Sequence, residues 1–209
     1  MNITLKSAIL GTSLFFLVNG VFTLNCTKYN LVINYTSGIH ALGSTIMCLS
    51  HVISDKLNLL NQYNLDLFGL NIKSFSTGYF IYDSVVTLFN QKGLNRFVFL
   101  YHHIFSLCML NSNVQYPIYE ILFWAELSNL PYYMVYYYLH QPNENTKKIN
   151  TWKNVQKYLY FIVRVPIMSY YVGEQLLYRD HTYYHYMMVP VYLLGCVWSL
   201  RMFKGKKLI

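Results

Sequence analysis

The chain has 209 residues, of which 55% are apolar and only 11% charged, whereas an ordinary soluble domain carries about 25% charged residues. Charge depletion with long apolar blocks and a mean hydropathy of +0.26 argues against the water-soluble class, a soluble all-helical bundle included, and places the chain among membrane proteins. The net charge of +8 does not mark nucleic-acid binding, because the basic residues fall in short clusters between apolar segments and form no continuous basic face.

A spanning helix needs about 20 mostly apolar residues, and the chain offers about seven candidates. The first, Ser7–Leu24, follows Lys6 as a signal peptide would. No small-x-small cleavage site follows it, so it reads as a retained helix. The second is Gly38–Ser54, short and interrupted by polar groups. The segment Asp55–Ile72 has apolar residues at mixed spacing and is expected to be an interfacial loop. Then come Lys73–Asn90, the short Arg96–Asn111, Pro117–His140, Gln156–Tyr178 and Tyr184–Phe203. The expected fold class is an all-α membrane protein, a bundle of transmembrane helices. Residues 1–32 form an N-terminal helix and loop, and residues 204–209 a basic tail. Pro131 and Pro166 would kink the fifth and sixth helices and open room for a ligand.

Lysine and arginine set the orientation. With alternating loops, one side receives Lys28, Lys92, Arg96, Lys147, Lys148, Lys153, Lys157, Arg201, Lys204, Lys206 and Lys207. The other receives Lys6, Lys56, Lys73 and Arg179. The richer side is expected to be cytosolic, which puts the C-terminus in the cytosol. The final Lys206-Lys207-Leu208-Ile209 resembles the dilysine signal that returns membrane proteins to the endoplasmic reticulum, which makes retrieval-coat machinery an expected partner. A plain basic tail is the alternative. Asn25 and Asn34 begin sequons that this topology leaves bare in the cytosol, and Asn2 begins one close to the terminus.

Ionisable groups inside spanning helices are costly, so each is a functional hypothesis. They are His40, Asp83, His102, His103, Glu120, Glu126, Arg164 and Glu174, joined by the uncharged Asn129. At about 1.5 Å of rise per residue, His40, Asp83, His102, His103 and Arg164 fall in the cytosolic half, with Glu126 and Asn129 nearer the midplane. A shared interior site explains that clustering. Tyr79 and Asp83 share a helix face, as do Glu126 and Asn129. An imidazole beside a carboxylate is a usable general base. The structural alternatives are an ion pair of Asp83 or Glu126 with Arg164, and histidines that only bridge helices. Glu120 and Glu174 are expected to reach headgroups. No metal is expected: His181 and His185 form an HxxxH pair at the far end from His102-His103, and the seven histidines fall short of the boxes of a membrane di-iron centre. The four cysteines are dispersed and read as small core residues.

The ordered set Ser76-Thr77-Gly78-Tyr79-Phe80-Ile81-Tyr82-Asp83, Tyr101-His102-His103-Ile104, Glu126-Leu127-Ser128-Asn129 and Arg164 resembles the TLC-domain family, which includes ceramide synthases, translocon-associated TRAM proteins and smaller lipid-related members. His40 resembles the histidine early in that domain. The resemblance covers roughly Ile33 to Met202, so residues 33–203 are expected to form a TLC domain. It implies a helical bundle of the endoplasmic reticulum that acts on or senses membrane lipids. Carried over from ceramide synthases, His102 and His103, with Asp83 and Glu126, would serve N-acylation with acyl-CoA as co-substrate and no resident cofactor. His40, Tyr79, Asn129 and Arg164 would hold the lipid. Where ceramide synthases resemble His-Asp-x-x-Asp, this chain has Ala125-Glu126-Leu127-Ser128-Asn129, and Asn129 cannot ionise. That departure is closer to the small non-synthase members, linked to lipid homeostasis and trafficking.

Overall fold

The computed structural model describes residues 5–25, 29–111, 117–141, 145–178 and 183–204. Among them every regular element is a helix. They are α1 (Leu5–Asn25), α2 (Tyr29–Lys56), α3 (Gln62–Asn90), α4 (Gly93–Asn111), α5 (Ile118–Leu139), α6 (Thr146–Ile162), a π turn (Val163–Ile167), α7 (Met168–Tyr178) and α8 (Tyr183–Phe203). α6, the π turn and α7 follow one another without a break, so the described chain forms seven helical runs. Lys28, Arg179, His181, Lys206, Lys207 and the sequon at Asn2 lie outside the described residues.

Four helices match the sequence expectation to within a few residues, and α2, α3 and α6 are longer. α2 starts at Tyr29 rather than Gly38, through a stretch rich in hydroxyl and amide side chains. Those hydroxyls do not oppose the helix, because they turn back onto it: Thr36 Oγ1 donates to Val32 O at 3.0 Å and Ser37 Oγ to Ile33 O at 3.0 Å. α3 takes in most of the segment expected to be a loop. Asn61 caps it, its side chain accepting from Asn64 N at 2.9 Å, and the helix then runs 29 residues, roughly 43 Å at 1.5 Å each. The turn from α2 is tight because Asn58 takes the left-handed conformation at φ 51° while Leu59 N donates to Ser54 O at 2.9 Å. α6 begins ten residues ahead of Gln156, under an Asn145 cap on Lys148 N at 3.0 Å. Pro166 sits in the π turn, where the helical ladder loosens around a residue with no N–H to give. Pro131 lies within α5.

The chain divides into two compact units, Met1–Glu126 and Leu127–Ile209. In the first, α1, α2 and α4 all pack on α3. Its core is Phe15, Cys48, Ile72, Tyr79, Phe80, Tyr82, Val86, Leu110 and Leu122. α1 meets α3 backbone to backbone, where Gly78 faces Gly11 so closely that a Cβ on Gly78 would lie 2.6 Å from Gly11 Cα. Beyond that crossing Phe15 enters the core and Asn19 Nδ2 donates to the buried Tyr82 hydroxyl at 2.7 Å. In the second unit α8 packs on α6, the π turn and α7. Gly195 leaves room for the stem of Arg164, and the Cys196 thiol donates to Arg164 O at 3.7 Å, supplying a partner at the loosened turn.

Among the described residues one helix, Leu5–Leu24, is long and apolar enough to cross a membrane, with mean hydropathy 1.7; Met188–Phe203 is apolar but shorter. The distribution of side chains on α2 explains why that helix fails the same test. Its buried residues are Leu31 and Val32 near the start and then Thr36, Ser37, His40, Ala41, Ser44, Thr45, Cys48 and His51, while Ile39, Leu42, Ile46, Leu49 and Ile53 are 41 to 56% exposed. From Thr36 to Ile53 most buried side chains are polar and the exposed stripe is aliphatic, so the helix average is diluted by its interior face.

Candidate functional site

The first unit holds two histidine–carboxylate pairs. His40, on the inner face of α2, is wholly buried. Its ring lies flat against Tyr79, with centroids 3.8 Å apart and planes 7° apart, and Phe15, Phe75 and Phe80 enclose it. Its Nε2 stands 2.9 Å from Ser44 Oγ and 3.3 Å from Ser76 Oγ, and the two hydroxyls are 3.2 Å apart. Its Nδ1 faces Glu126 Oε1 at 3.8 Å, within ion-pair range but too far for a hydrogen bond. Glu126 and both serines are buried with it. The i, i+4 step on α2 sets Ser44 beneath His40, and the α2–α3 crossing brings Ser76 to the same nitrogen.

The second pair is His103 Nε2 and Asp83 Oδ2, 3.0 Å apart, between α4 and α3. A carboxylate at this distance accepts from Nε2–H, which keeps a proton on that nitrogen, so the ring's other nitrogen, Nδ1, is the one that can carry a lone pair. Nδ1 is buried and has no hydrogen-bond partner. A free lone pair on an oriented imidazole is the arrangement a general base or a nucleophile requires. Phe80 lies between the two pairs, its ring centroid 5.5 Å from His40 and 5.9 Å from His103. Of the adjacent histidines, His103 faces the acid. His102 is only half-buried, and its carbonyl accepts from Ser106 Oγ at 2.9 Å.

Of the residues singled out in the sequence, His40, Tyr79, Asp83, His103 and Glu126 are thus gathered in one unit. Asp83 pairs with His103 and Glu126 faces His40, so each acid has a histidine opposite it. Glu120 lies at the other end of this unit, 3.0 Å from Lys56 Nζ. Sequence reading missed Ser44, which the four-residue step from His40 could have flagged, and Phe15, which carries no signal beyond its place in an apolar run. It also passed over His51, whose ring lies 4.0 Å from that of Tyr119.

Asn129 and Arg164 belong to the second unit. Arg164 Nη2 donates to Asn129 Oδ1 at 3.5 Å, and the guanidinium lies over the Tyr160 ring at 5.1 Å. The π turn positions Arg164, and such turns recur at functional sites. Ser169 Oγ and Tyr192 OH, 2.7 Å apart, join α7 to α8 just below it. Among the described residues no group of three or more His, Cys, Asp or Glu side chains is placed to hold a metal ion. No family model, curated protein or solved structure matches the chain.

Proposed function

We propose that the chain is a multispanning membrane protein of the TLC type, resident in the endoplasmic reticulum with its C-terminus in the cytosol, that acts in lipid homeostasis by holding membrane lipid. The observation that carries this reading is the inverted α2 helix. In water, five aliphatic side chains on one exposed stripe and hydroxyls and imidazoles inside would be the wrong way round. In hydrocarbon it is the stable arrangement. The stripe recurs on α1 at Leu10, Leu14, Leu17, Val21 and Leu24, and on α4 at Leu94, Phe97, Tyr101 and Ile104. Each repeats at alternating three- and four-residue steps, the period of one helix face. Hydroxyls bonded to their own helix, as Thr12 to Ala8 O at 2.8 Å and Thr45 to Ala41 O at 2.7 Å, are the usual solution where no water is at hand.

A second reading is favoured by one specific observation. The His103–Asp83 pair, with Nδ1 unpartnered, fits an acyl-CoA-dependent N-acyltransferase: the amine attacks the thioester carbonyl, His103 takes the amine's proton, the C–S bond breaks and CoA leaves as the thiol with that proton. Asp83 holds the ring and stabilises its charged form, while His40 and Glu126 shape the polar interior.

The test is untargeted lipidomics on cells expressing the chain at matched level beside His103→Gln and His102→Ala. Membrane integration is followed by resistance to alkaline carbonate. A lipid class that rises with the natural chain and the His102 variant, but not with His103→Gln, establishes acyl transfer and names the substrate class. Equal shifts with all three leave lipid holding as the function. Release of the chain by carbonate overturns both readings.

A further inference from the structure

Neither reading gives Ser44 or Ser76 a task, yet the two differ from other hydroxyls of the first unit. Thr36, Ser37, Thr45, Ser74 and Ser84 each donate to the carbonyl four residues back in their own helix. Ser44 and Ser76 face His40 instead, their Oγ atoms 2.9 and 3.3 Å from Nε2. The first arrangement occupies the hydroxyl within its helix, whereas the second leaves its proton to the imidazole.

The far side of the ring sets the direction of transfer. Nδ1 faces Glu126 Oε1 at 3.8 Å, so the carboxylate favours the proton on Nδ1 and the lone pair on Nε2. Nε2 then accepts from Ser44. Hydroxyl, imidazole and carboxylate follow one another as nucleophile, base and orienting acid. The Glu126 contact is longer than a hydrogen bond, as such contacts often are before substrate tightens them. Ser76 Oγ, 3.2 Å from Ser44 Oγ, is a donor beside the place where an oxyanion would form.

His40, Ser44 and Ser76 are wholly buried, so the cluster is closed. Phe15, Phe75, Tyr79 and Phe80 wall it. Of these, Phe15 alone comes from α1, which packs on α2 and α3 but buries little of its own surface.

We propose that Ser44, His40 and Glu126 form a nucleophilic site that cleaves an ester-linked acyl chain from a membrane lipid, with Phe15 as the side chain that closes it. Ser44 Oγ attacks the ester carbonyl as His40 Nε2 takes its proton. The bond from carbonyl carbon to alkoxy oxygen breaks, and the alcohol leaves with that proton. Water then attacks the acyl-serine, giving one proton to His40, and the fatty acid departs as Ser44 recovers its proton. The substrate class rests on the membrane reading above, whereas the site uses neither His103 nor acyl-CoA.

The purified full-length chain in mild detergent is treated with hexadecyl fluorophosphonate, which forms an Oγ–P bond with an activated serine and releases fluoride. Peptide mass mapping is expected to place the label on Ser44. Ser44→Ala should abolish it, and Thr45→Val, which alters a neighbouring hydroxyl bonded to its own helix, should keep it. Phe15→Ala should label several-fold faster. Mapping locates the adduct directly, so the result does not depend on how well a variant folds. Labelling elsewhere that survives Ser44→Ala overturns the nucleophile, as does no labelling of either the natural chain or Phe15→Ala. An unchanged rate in Phe15→Ala overturns the gate. Faster reaction with diisopropyl fluorophosphate than with the hexadecyl reagent overturns the lipid class in favour of a soluble ester. An unlabelled chain that resists carbonate sinks this inference alone, whereas release by carbonate sinks the reading beneath it.

Discussion

His40 and His103 show how one side-chain type takes two roles inside a single unit. His40 is surrounded: two hydroxyls share Nε2, four aromatic rings enclose it, and Glu126 stands off at 3.8 Å. His103 has one strong partner and one open nitrogen. The tandem His102-His103 was visible in the sequence, but which of the two meets the acid depends on the rotation of α4 against α3, a tertiary property. Gly78 gives the sharpest residue-scale prediction. A side chain there meets the backbone of α1 rather than a movable side chain, with Thr12 N 2.6 Å from the new Cβ. Overpacking of this kind costs about 1–3 kcal/mol where neighbours can shift, and a backbone yields less than a side chain. Gly78→Val is therefore expected to separate α1 from α3, lower the midpoint of thermal unfolding in detergent and expose Phe15. Gly20, whose Cβ would meet nothing within 4 Å, is the control: Gly20→Ala should leave the midpoint unchanged or raise it slightly. Equal effects of the two substitutions would contradict the close crossing.

The helices themselves were largely legible, because apolar runs of helical length are a strong local signal. What the sequence hid was where they begin. α2, α3 and α6 extend through Asn-, Ser- and Lys-rich stretches, where apolar content is low and so gives no sign of a helix. The serines and threonines of α2 continue the helix by bonding to carbonyls four residues back, and Asn61 and Asn145 supply caps where loops were expected. The candidate site was half legible: the pairing of Glu126 with His40 requires α2 and α5 to be neighbours, which no local spacing states. The outward stripe of α2 is testable as an element. Ile46 sits mid-stripe and 56% exposed. If that face meets hydrocarbon, Ile46→Lys should weaken membrane insertion by about 3 kcal/mol, the cost of a lysine at the helix centre, and lower the carbonate-resistant fraction. If the stripe faces water, the same substitution should improve solubility without detergent.

At the scale of the molecule, the two units differ in how their charge is distributed. The α6–α8 end carries Lys147, Lys148, Lys153, Lys157, Arg201 and Lys204. The α2–α3 turn carries Lys56, already matched by Glu120 at 3.0 Å, and the carboxylates Asp55 and Asp66. In the orientation proposed above, the first end is cytosolic and the second lumenal. Asn150, exposed on α6, and Asn58, in the exposed α2–α3 turn, report the two ends, the latter at some cost in backbone strain because the position is left-handed at φ 51°. In sealed microsomes, after the natural thiols are blocked or replaced, a membrane-impermeant maleimide should label Asn150→Cys at once. It should label Asn58→Cys only after the vesicles are permeabilised. The reverse pattern would invert the orientation and place Lys206 and Lys207 where no cytosolic coat could read them. Immediate labelling of both positions would mean that no membrane separates them. The inward polar faces of the first unit would then need an explanation other than lipid.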